Sequence, residues 1–252
     1  MMTLTVLGCD GSYPGPSGLA GGQGSSGAAS GYLVRSWGSG TALWVDAGPG
    51  TFANLQRFLD PLRLSAVILT HEHADHFSDI ESLLTAGRWV LGFRRDPIPV
   101  FASPGIEAKL ASEVDGILDW REVGDGEGAR VGDLRIRFSR TDHPPVTHAV
   151  RIEGDEGALG YSADSGPGWS LEALGPGLDL ALCEATYTSD YQGTAGHMTG
   201  REAGRSARAA SVRRLVITHR WPTIAAEDVL AEAVETFGGP VEQAAVGRGY
   251  SL

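Results

Sequence analysis

The stretch Val67-Ile68-Leu69-Thr70-His71-Glu72-His73-Ala74-Asp75-His76 constrains this chain most, because three histidines and an aspartate follow directly on a short apolar run. The run reads as a buried strand. In extended backbone alternate side chains point the same way, so His71 and His73 converge on one ion while Glu72 points elsewhere. The turn that follows redirects Asp75 and His76, which brings them within reach of a second ion a few ångströms away. Ligands therefore appear where a strand ends, and such apolar runs alternate with helical patterns along the chain, the layout expected of an α/β protein whose sheets are covered by helices. Nitrogen-rich, thiol-free ligation of this kind suits zinc, with iron or manganese as alternatives.

The rest of the 252 residues agrees with that architecture. Apolar, β-branched runs predict strands at 4–7, 32–35, 42–45, 66–69, 99–102, 134–138, 149–152, 159–161, 180–183, 215–218 and 241–245. Between them lie helical patterns. Val229, Leu230, Ala233, Val234 and Phe237 share one face of a helix, and Phe77, Ile80, Leu83 and Leu84 give a second stripe. A third helix starts after Thr199, where Thr199 and Glu202 spell a T-x-x-E capping box. No break in composition divides the chain, so one domain over 1–252 is expected, carrying a Gly/Ser-rich loop at 11–31.

That loop holds a decoy. Gly22-Gln23-Gly24-Ser25-Ser26-Gly27 spells G-x-G-x-x-G, with Asp46 spaced behind it like a ribose-binding acid. A dinucleotide fingerprint must leave a strand and open a helix, whereas this one runs into the strand at Tyr32.

Composition excludes several function classes. A net charge of −11 argues against a surface that grips nucleic acid. The start, MMTLTVLGCDG, has neither a basic leader nor an apolar span, and no later run approaches the ~18 residues of a membrane helix, so a cytoplasmic chain without a membrane partner is expected. Cys9 and Cys183 match no metal-binding spacing and read as small hydrophobes.

A second half-site follows the same design. Leu215-Val216-Ile217-Thr218 is another apolar strand that ends in a histidine, His219, and the shared Thr-His ending suggests related positions in two similar halves. Asp142-His143-Pro144 and Tyr161-Ser162-Ala163-Asp164-Ser165 offer two further ligands at strand ends. Asp164 has two oxygens and could bridge two ions, which no histidine can do.

H-x-H-x-D-H, then a lone His, an Asp, and a His after a strand, resembles the metallo-β-lactamase superfamily over essentially the whole chain. The resemblance implies an αβ/βα four-layer sandwich, two mixed sheets flanked by helices, with one metal on His71, His73, His143 and Asp164 and another on Asp75, His76, Asp164 and His219. Within the superfamily, Glu184-Ala185-Thr186 and His197-Met198-Thr199 are similar to segments of the tRNA 3′-processing endonucleases and their phosphodiesterase relatives. There the histidine assists departure of the alcohol and the glutamate orients it, so His197 and Glu184 take those roles by resemblance, with Asp75 beside them in the catalytic set. At its motifs the chain looks most like the atypical class II cyclic-nucleotide phosphodiesterases of mycobacteria, from which it departs in the long Gly/Ser loop, in His148, and in Ala163-Asp164-Ser165 where those have Gly-Asp-Thr.

The implied activity is a binuclear metal-dependent phosphodiesterase that attacks a small phosphodiester such as 3′,5′-cyclic AMP with a metal-bridging hydroxide. Two divalent ions outweigh Asp75 and Asp164, so the site can attract an anion despite the acidic chain. Arg220, Trp221 and His148 are candidate substrate-binding residues, and a homodimer is a superfamily expectation. Alternatives are a carbon-centred ester, lactone or thioester hydrolase on the same metals, or a tRNA 3′-processing endonuclease. Against the last, no long basic Gly-rich arm lies between the histidine motif and His143.

Overall fold

The computed structural model describes residues 1–15, 27–90, 96–114, 116–191 and 196–252. Most of the Gly/Ser-rich loop and its G-x-G-x-x-G lie outside the described residues. The first half of the chain contributes strands β1 (Met2–Gly8), β2 (Gly31–Ser36), β3 (Ala42–Ala47), β4 (Ala66–Leu69), β5 (Ile98–Ala102) and β6 (Leu118–Glu122). The second half contributes β7 (Gly128–Val131), β8 (Leu134–Arg140), β9 (His148–Gly154), β10 (Gly157–Tyr161), β11 (Leu180–Glu184), β12 (Leu215–Thr218) and β13 (Val241–Gln243), and β14 (Gly249–Ser251) returns to pair with β1. The helices are α1 (Thr51–Leu55), α2 (Ala74–Phe77), α3 (Ile80–Trp89), α4 (Gly200–Ala209) and α5 (Ala226–Phe237).

Two seven-stranded sheets result, ordered β14-β1-β2-β3-β4-β5-β6 and β13-β12-β11-β10-β9-β8-β7. Each begins with three antiparallel pairings and continues with three parallel ones, β3 to β6 in the first and β10 to β13 in the second. The period of two along each strand sorts side chains between layers. Leu4, Val6, Tyr32, Val34, Leu43, Val45 and Ile68 face the second sheet, where Leu134, Ile136, Phe138, Val150, Ile152, Leu182 and Val216 meet them. Leu7, Leu33, Trp44, Val67 and Leu69 turn outward under Ile80, Leu83 and Leu84 of α3. On the far side Ala181, Cys183, Leu215 and Ile217 pack beneath α4 and α5. Strands buried on both faces explain why their sequences read as apolar runs without alternation.

Every strand expected from sequence is present, with ends shifted by a few residues. The sequence missed β6, β7 and β14, which lie at or next to sheet edges and are half-exposed and rich in charge or glycine. The capping box forms at α4, where the Thr199 hydroxyl accepts from Glu202 N–H and the Glu202 carboxylate accepts from Thr199 N–H. Along α5, Val229, Ala233 and Phe237 are buried but Val234 is 49% exposed, because the apolar stripe is wider than the face the sheet covers.

The two Thr-His strand ends are not equivalent positions. Counted from the antiparallel edge, β4 is fifth in its sheet and β12 is sixth in the other, so Thr70-His71 corresponds by topology to the end of β11, at Glu184. The parallel strands β3, β4, β10, β11 and β12 deliver their carboxyl ends to one rim, the place where open α/β sheets carry their chemistry. Asp46, Ala163 and His219 turn the chain there with φ of 55°, 51° and 57°. Left-handed backbone at non-glycine residues costs roughly 1–3 kcal/mol each and persists only where surrounding structure enforces it.

Candidate metal centre

His71 follows β4, and the chain then turns into α2, whose four residues include Asp75 and His76. Gly48 lets this corner close on β3, since a Cβ there would lie 2.0 Å from the Asp75 carbonyl oxygen. His143 comes from the loop after β8, Asp164 from the loop after β10, and His219 directly follows β12. His71, His73, His143 and Asp164 form one group and Asp75, His76 and His219 a second, the candidate ligand atoms of each lying within 4.8 Å of one another. Asp164 joins the two. Its Oδ2 lies 3.5 Å from His71 Nε2, while its Oδ1 lies 3.3 Å from His76 Nε2 and 3.4 Å from His219 Nε2.

Four imidazoles are held from behind. His71 Nδ1 is 3.1 Å from the Thr70 hydroxyl, His76 Nδ1 2.7 Å from Asp46, His143 Nδ1 2.6 Å from the Gly196 carbonyl, and His219 Nδ1 2.9 Å from the Thr186 hydroxyl. Donation outward through Nδ1–H leaves the Nε2 lone pairs facing inward, the arrangement in which histidine binds metals. His71 Nε2 and His143 Nε2 then both face His73 Nδ1, at 3.1 and 3.2 Å. His76 Nε2 and Asp164 Oδ1 are buried 3.3 Å apart, and neither makes a hydrogen bond among the described residues. Converging lone pairs and orphaned buried atoms are costly unless a cation satisfies them, so this donor set fits two divalent ions.

Electrostatics follows the same division. Burial, reinforced by His76, lowers the His71 pKa to about 4. Burial also opposes charge on His76, yet Asp164, Asp75 and Asp46 surround it and raise its pKa well above the ordinary value. Asp75 is buried too, but His76 and His219 hold its carboxyl below the usual range. A cation entering the second group must displace the His76 proton, so metal binding and proton release are linked.

Glu184, at the end of β11, accepts from Ser165 N–H at 2.6 Å, the Thr186 hydroxyl at 2.6 Å, Met198 N–H at 3.2 Å and His197 Nδ1 at 3.0 Å. Its carboxylate therefore ties the loop of Asp164 to that of His197. Burial disfavours the imidazolium of His197, but Glu184 and Asp164 outweigh it and raise the pKa to about 9.

The three candidate substrate-binding residues separate. His148 is 2% exposed, bonded through Nδ1 to the Ser103 hydroxyl at 2.7 Å and through its N–H to the Thr70 carbonyl, so it braces the strand behind His71 and is not presented to a substrate. Arg220 is half-buried and turns its guanidinium onto the Trp221 and Ile224 carbonyls, which fastens the 221–224 turn. Trp221 packs edge-on against Tyr187, centroids 4.9 Å apart, and Tyr187 stands 5.8 Å from the His197 ring.

Sequence reasoning missed Thr186, and it saw Asp46 only as a spurious ribose acid. Asp46 is fully buried and its oxygens accept from His76, Thr70 and Tyr161. An acid closing the apolar strand at 42–45 was the available signal. The two cysteines are free, and no helix among the described residues is long and apolar enough to cross a membrane.

Comparison with known proteins agrees with the geometry. A family model described as a β-lactamase superfamily domain matches residues 41–220. An uncharacterised protein of Mycobacterium leprae is 35% identical over 99% of this chain and 88% of its own length. The probable metallo-hydrolase YhfI of Bacillus subtilis is 31% identical over 98% of both chains, and its crystal structure superposes with a TM-score of 0.86 at 30% identity over the full length of both. Ribonuclease Z of Mycobacterium bovis is 29% identical over 96% of this chain and 95% of that protein.

Proposed function

The chain belongs to the β-lactamase superfamily, as one of its metal-dependent hydrolases, and from that premise we propose that its substrate is a small phosphodiester, with a 3′,5′-cyclic nucleotide such as 3′,5′-cyclic AMP as the working choice. The observation that carries this reading is the His197–Glu184 pair, 3.0 Å apart and set beside Asp164, with His197 Nδ1 3.9 Å from Asp164 Oδ2. A phosphodiester with an alcohol leaving group needs a proton on the departing oxygen, and an imidazole oriented by a carboxylate supplies it. An activated ester or a thioester, whose leaving group departs as a stabilised anion, makes less demand on such a donor.

Two divalent ions on the gathered histidines and aspartates, zinc by the chemistry of the donors, would neutralise the phosphate oxygens and make water a nucleophile near neutral pH. The chain's own residues do the rest. His71, His73 and His143 would hold one ion and Asp75, His76 and His219 the other, with Asp164 placed between the two groups. Glu184 accepts from His197 Nδ1, which leaves Nε2 as the nitrogen that would meet the leaving oxygen, and its bond to Ser165 N–H ties the loop of Asp164 to His197. The Thr186 hydroxyl donates to Glu184 and accepts from His219 Nδ1, joining donor and ligand in one chain of bonds.

The test is hydrolysis of 3′,5′-cyclic AMP and of a simple aryl phosphodiester by zinc-loaded and manganese-loaded protein, each with a chelator control. Turnover of both, abolished by chelation, is expected. Turnover of the aryl diester alone would discard the cyclic nucleotide, and turnover of neither, with hydrolysis of an ester or thioester instead, would overturn the phosphodiesterase reading.

A further inference from the structure

The second group of ligands spans both halves of the molecule. His76 rises from the first sheet and His219 from the second, with ring centroids 5.1 Å apart. Neither is fixed by its own sheet alone. Behind His76, the Asp46 carboxylate accepts from Thr70 N–H on Oδ1 at 2.9 Å, and on Oδ2 from His76 Nδ1 at 2.7 Å, the Thr70 hydroxyl at 2.9 Å and the Tyr161 hydroxyl at 2.8 Å. Tyr161 ends β10, a strand of the opposite sheet.

Next to it the reciprocal contact is made. Tyr32, on β2 of the first sheet, places its hydroxyl 2.7 Å from Thr218 Oγ1, and Thr218 is the residue before His219. The two tyrosine rings meet edge to face at 5.1 Å, and their relative exposures are 1% for Tyr32 and 2% for Tyr161. Each sheet thus sends one phenol across the core, Tyr161 to Asp46 at the end of β3, which holds His76, and Tyr32 to Thr218, the residue before His219. Burial, with Asp46 beside it, raises the Tyr161 pKa well above that of free tyrosine, so the hydroxyl remains a donor.

We propose that Tyr161 and Tyr32 are positioning residues that set the separation of His76 and His219, so that they govern binding of the Asp75–His76–His219 ion and leave the His71–His73–His143 ion largely untouched. The selectivity has a structural basis. His143 is held by the Gly196 carbonyl, away from both tyrosines, whereas His71 is held by the Thr70 hydroxyl, which itself donates to Asp46, so Tyr161 reaches His71 through one bond more than it reaches His76 and the effect on the first ion is the smaller. The partners on the far nitrogens of liganding histidines, here Asp46 on His76 and Thr186 on His219, are worth roughly 10- to 100-fold in metal affinity, and because Tyr161 stands behind Asp46 and Tyr32 acts on the residue before His219, the lower end of that range, about ten-fold, is the expected effect.

This inference rests on the two-ion reading, and one titration separates the two. Wild type, Tyr161→Phe and Tyr32→Phe, each retaining its ring, are titrated with zinc against a chromophoric chelator, and with cobalt by visible absorption. Expected are two ions in wild type, with one binding step weakened about ten-fold or more in either variant, the other step within two-fold, and the cobalt spectrum altered for the weakened ion alone. Two steps unchanged in both variants, or both steps weakened equally, would overturn the brace while leaving the two-ion site intact. A single ion in wild type would overturn both. Circular dichroism of the metal-free proteins identifies a variant that has not folded, and Thr218→Val then tests the same contact from the second sheet.

Discussion

His197 Nδ1 lies 3.0 Å from Glu184 Oε1, and that carboxylate also accepts from the amide of Ser165, the residue after Asp164. His197, the proposed proton donor, and the loop of Asp164 are thereby fixed to one buried side chain. Four predictions follow from this arrangement and from the helix that starts beside it.

Replacing His197 by Ala should lower kcat by roughly 10²–10⁴-fold on a diester with an alkyl leaving group, the usual contribution of a positioned acid. A p-nitrophenyl diester should lose far less, because its phenolate leaves without a proton. Metal content should stay at the wild-type level. Equal losses on the two substrates would remove the proton-donor role.

With the His197 pKa raised to about 9 from 6.5, the imidazolium persists through neutral pH. Hydrolysis of an alkyl diester should therefore hold on the alkaline side up to about pH 9 and decline above it. The stability linked to this group has the same sign: it is complete below the unfolded value near 6.5 and is lost as pH rises through about 9. Glu184→Gln removes the charge that raises the pKa, so the alkaline limb of the pH–rate profile should move to lower pH.

Asp164→Ala removes the carboxylate that, among the described residues, faces both candidate ligand groups, since its two oxygens point to His71 and to His76. Elemental analysis should find loss of metal in this variant, in contrast to His197→Ala. Full occupancy in Asp164→Ala would show that the two groups bind independently.

Thr199→Ala breaks the capping box of α4 and leaves the Glu202 N–H without its side-chain acceptor. The cost should be about 1 kcal/mol, within a range of roughly 0.5–2. For a chain of this size that is a fall in Tm of roughly 2–4 °C per kcal/mol. Thr199→Ser should recover most of it in a thermal melt.

Some of this molecule could be read directly from its residue order. Ala66 to Leu69 is a strand because it belongs to an apolar β-branched run, and it is buried on both faces, so its sequence carries no alternation to confuse the reading. His71, His73 and His76 announce themselves by spacing within six residues, and Thr199 by its glutamate three positions on. Where a neighbour decides the outcome, the signal fades. Leu118–Glu122 and Gly128–Val131 are strands through pairing with β5 and β8, since their charged and glycine-containing sequences have little strand character of their own. His148 carried the same histidine signature as the ligands, yet burial beside Ser103 gives it a structural bond instead.

Sequence by itself therefore determined the layered α/β architecture and the types of the candidate ligands, because periodicity and side-chain chemistry are local properties that residue order carries. Tertiary structure alone decided that Asp46, Tyr161, Tyr32 and Thr186 stand behind the histidines, and that the similar endings Thr70-His71 and Thr218-His219 occupy different places in their sheets. The reason is that a hydrogen bond across the core joins residues such as Asp46 and Tyr161, 115 positions apart, and only the packing of one sheet on the other brings such pairs within reach.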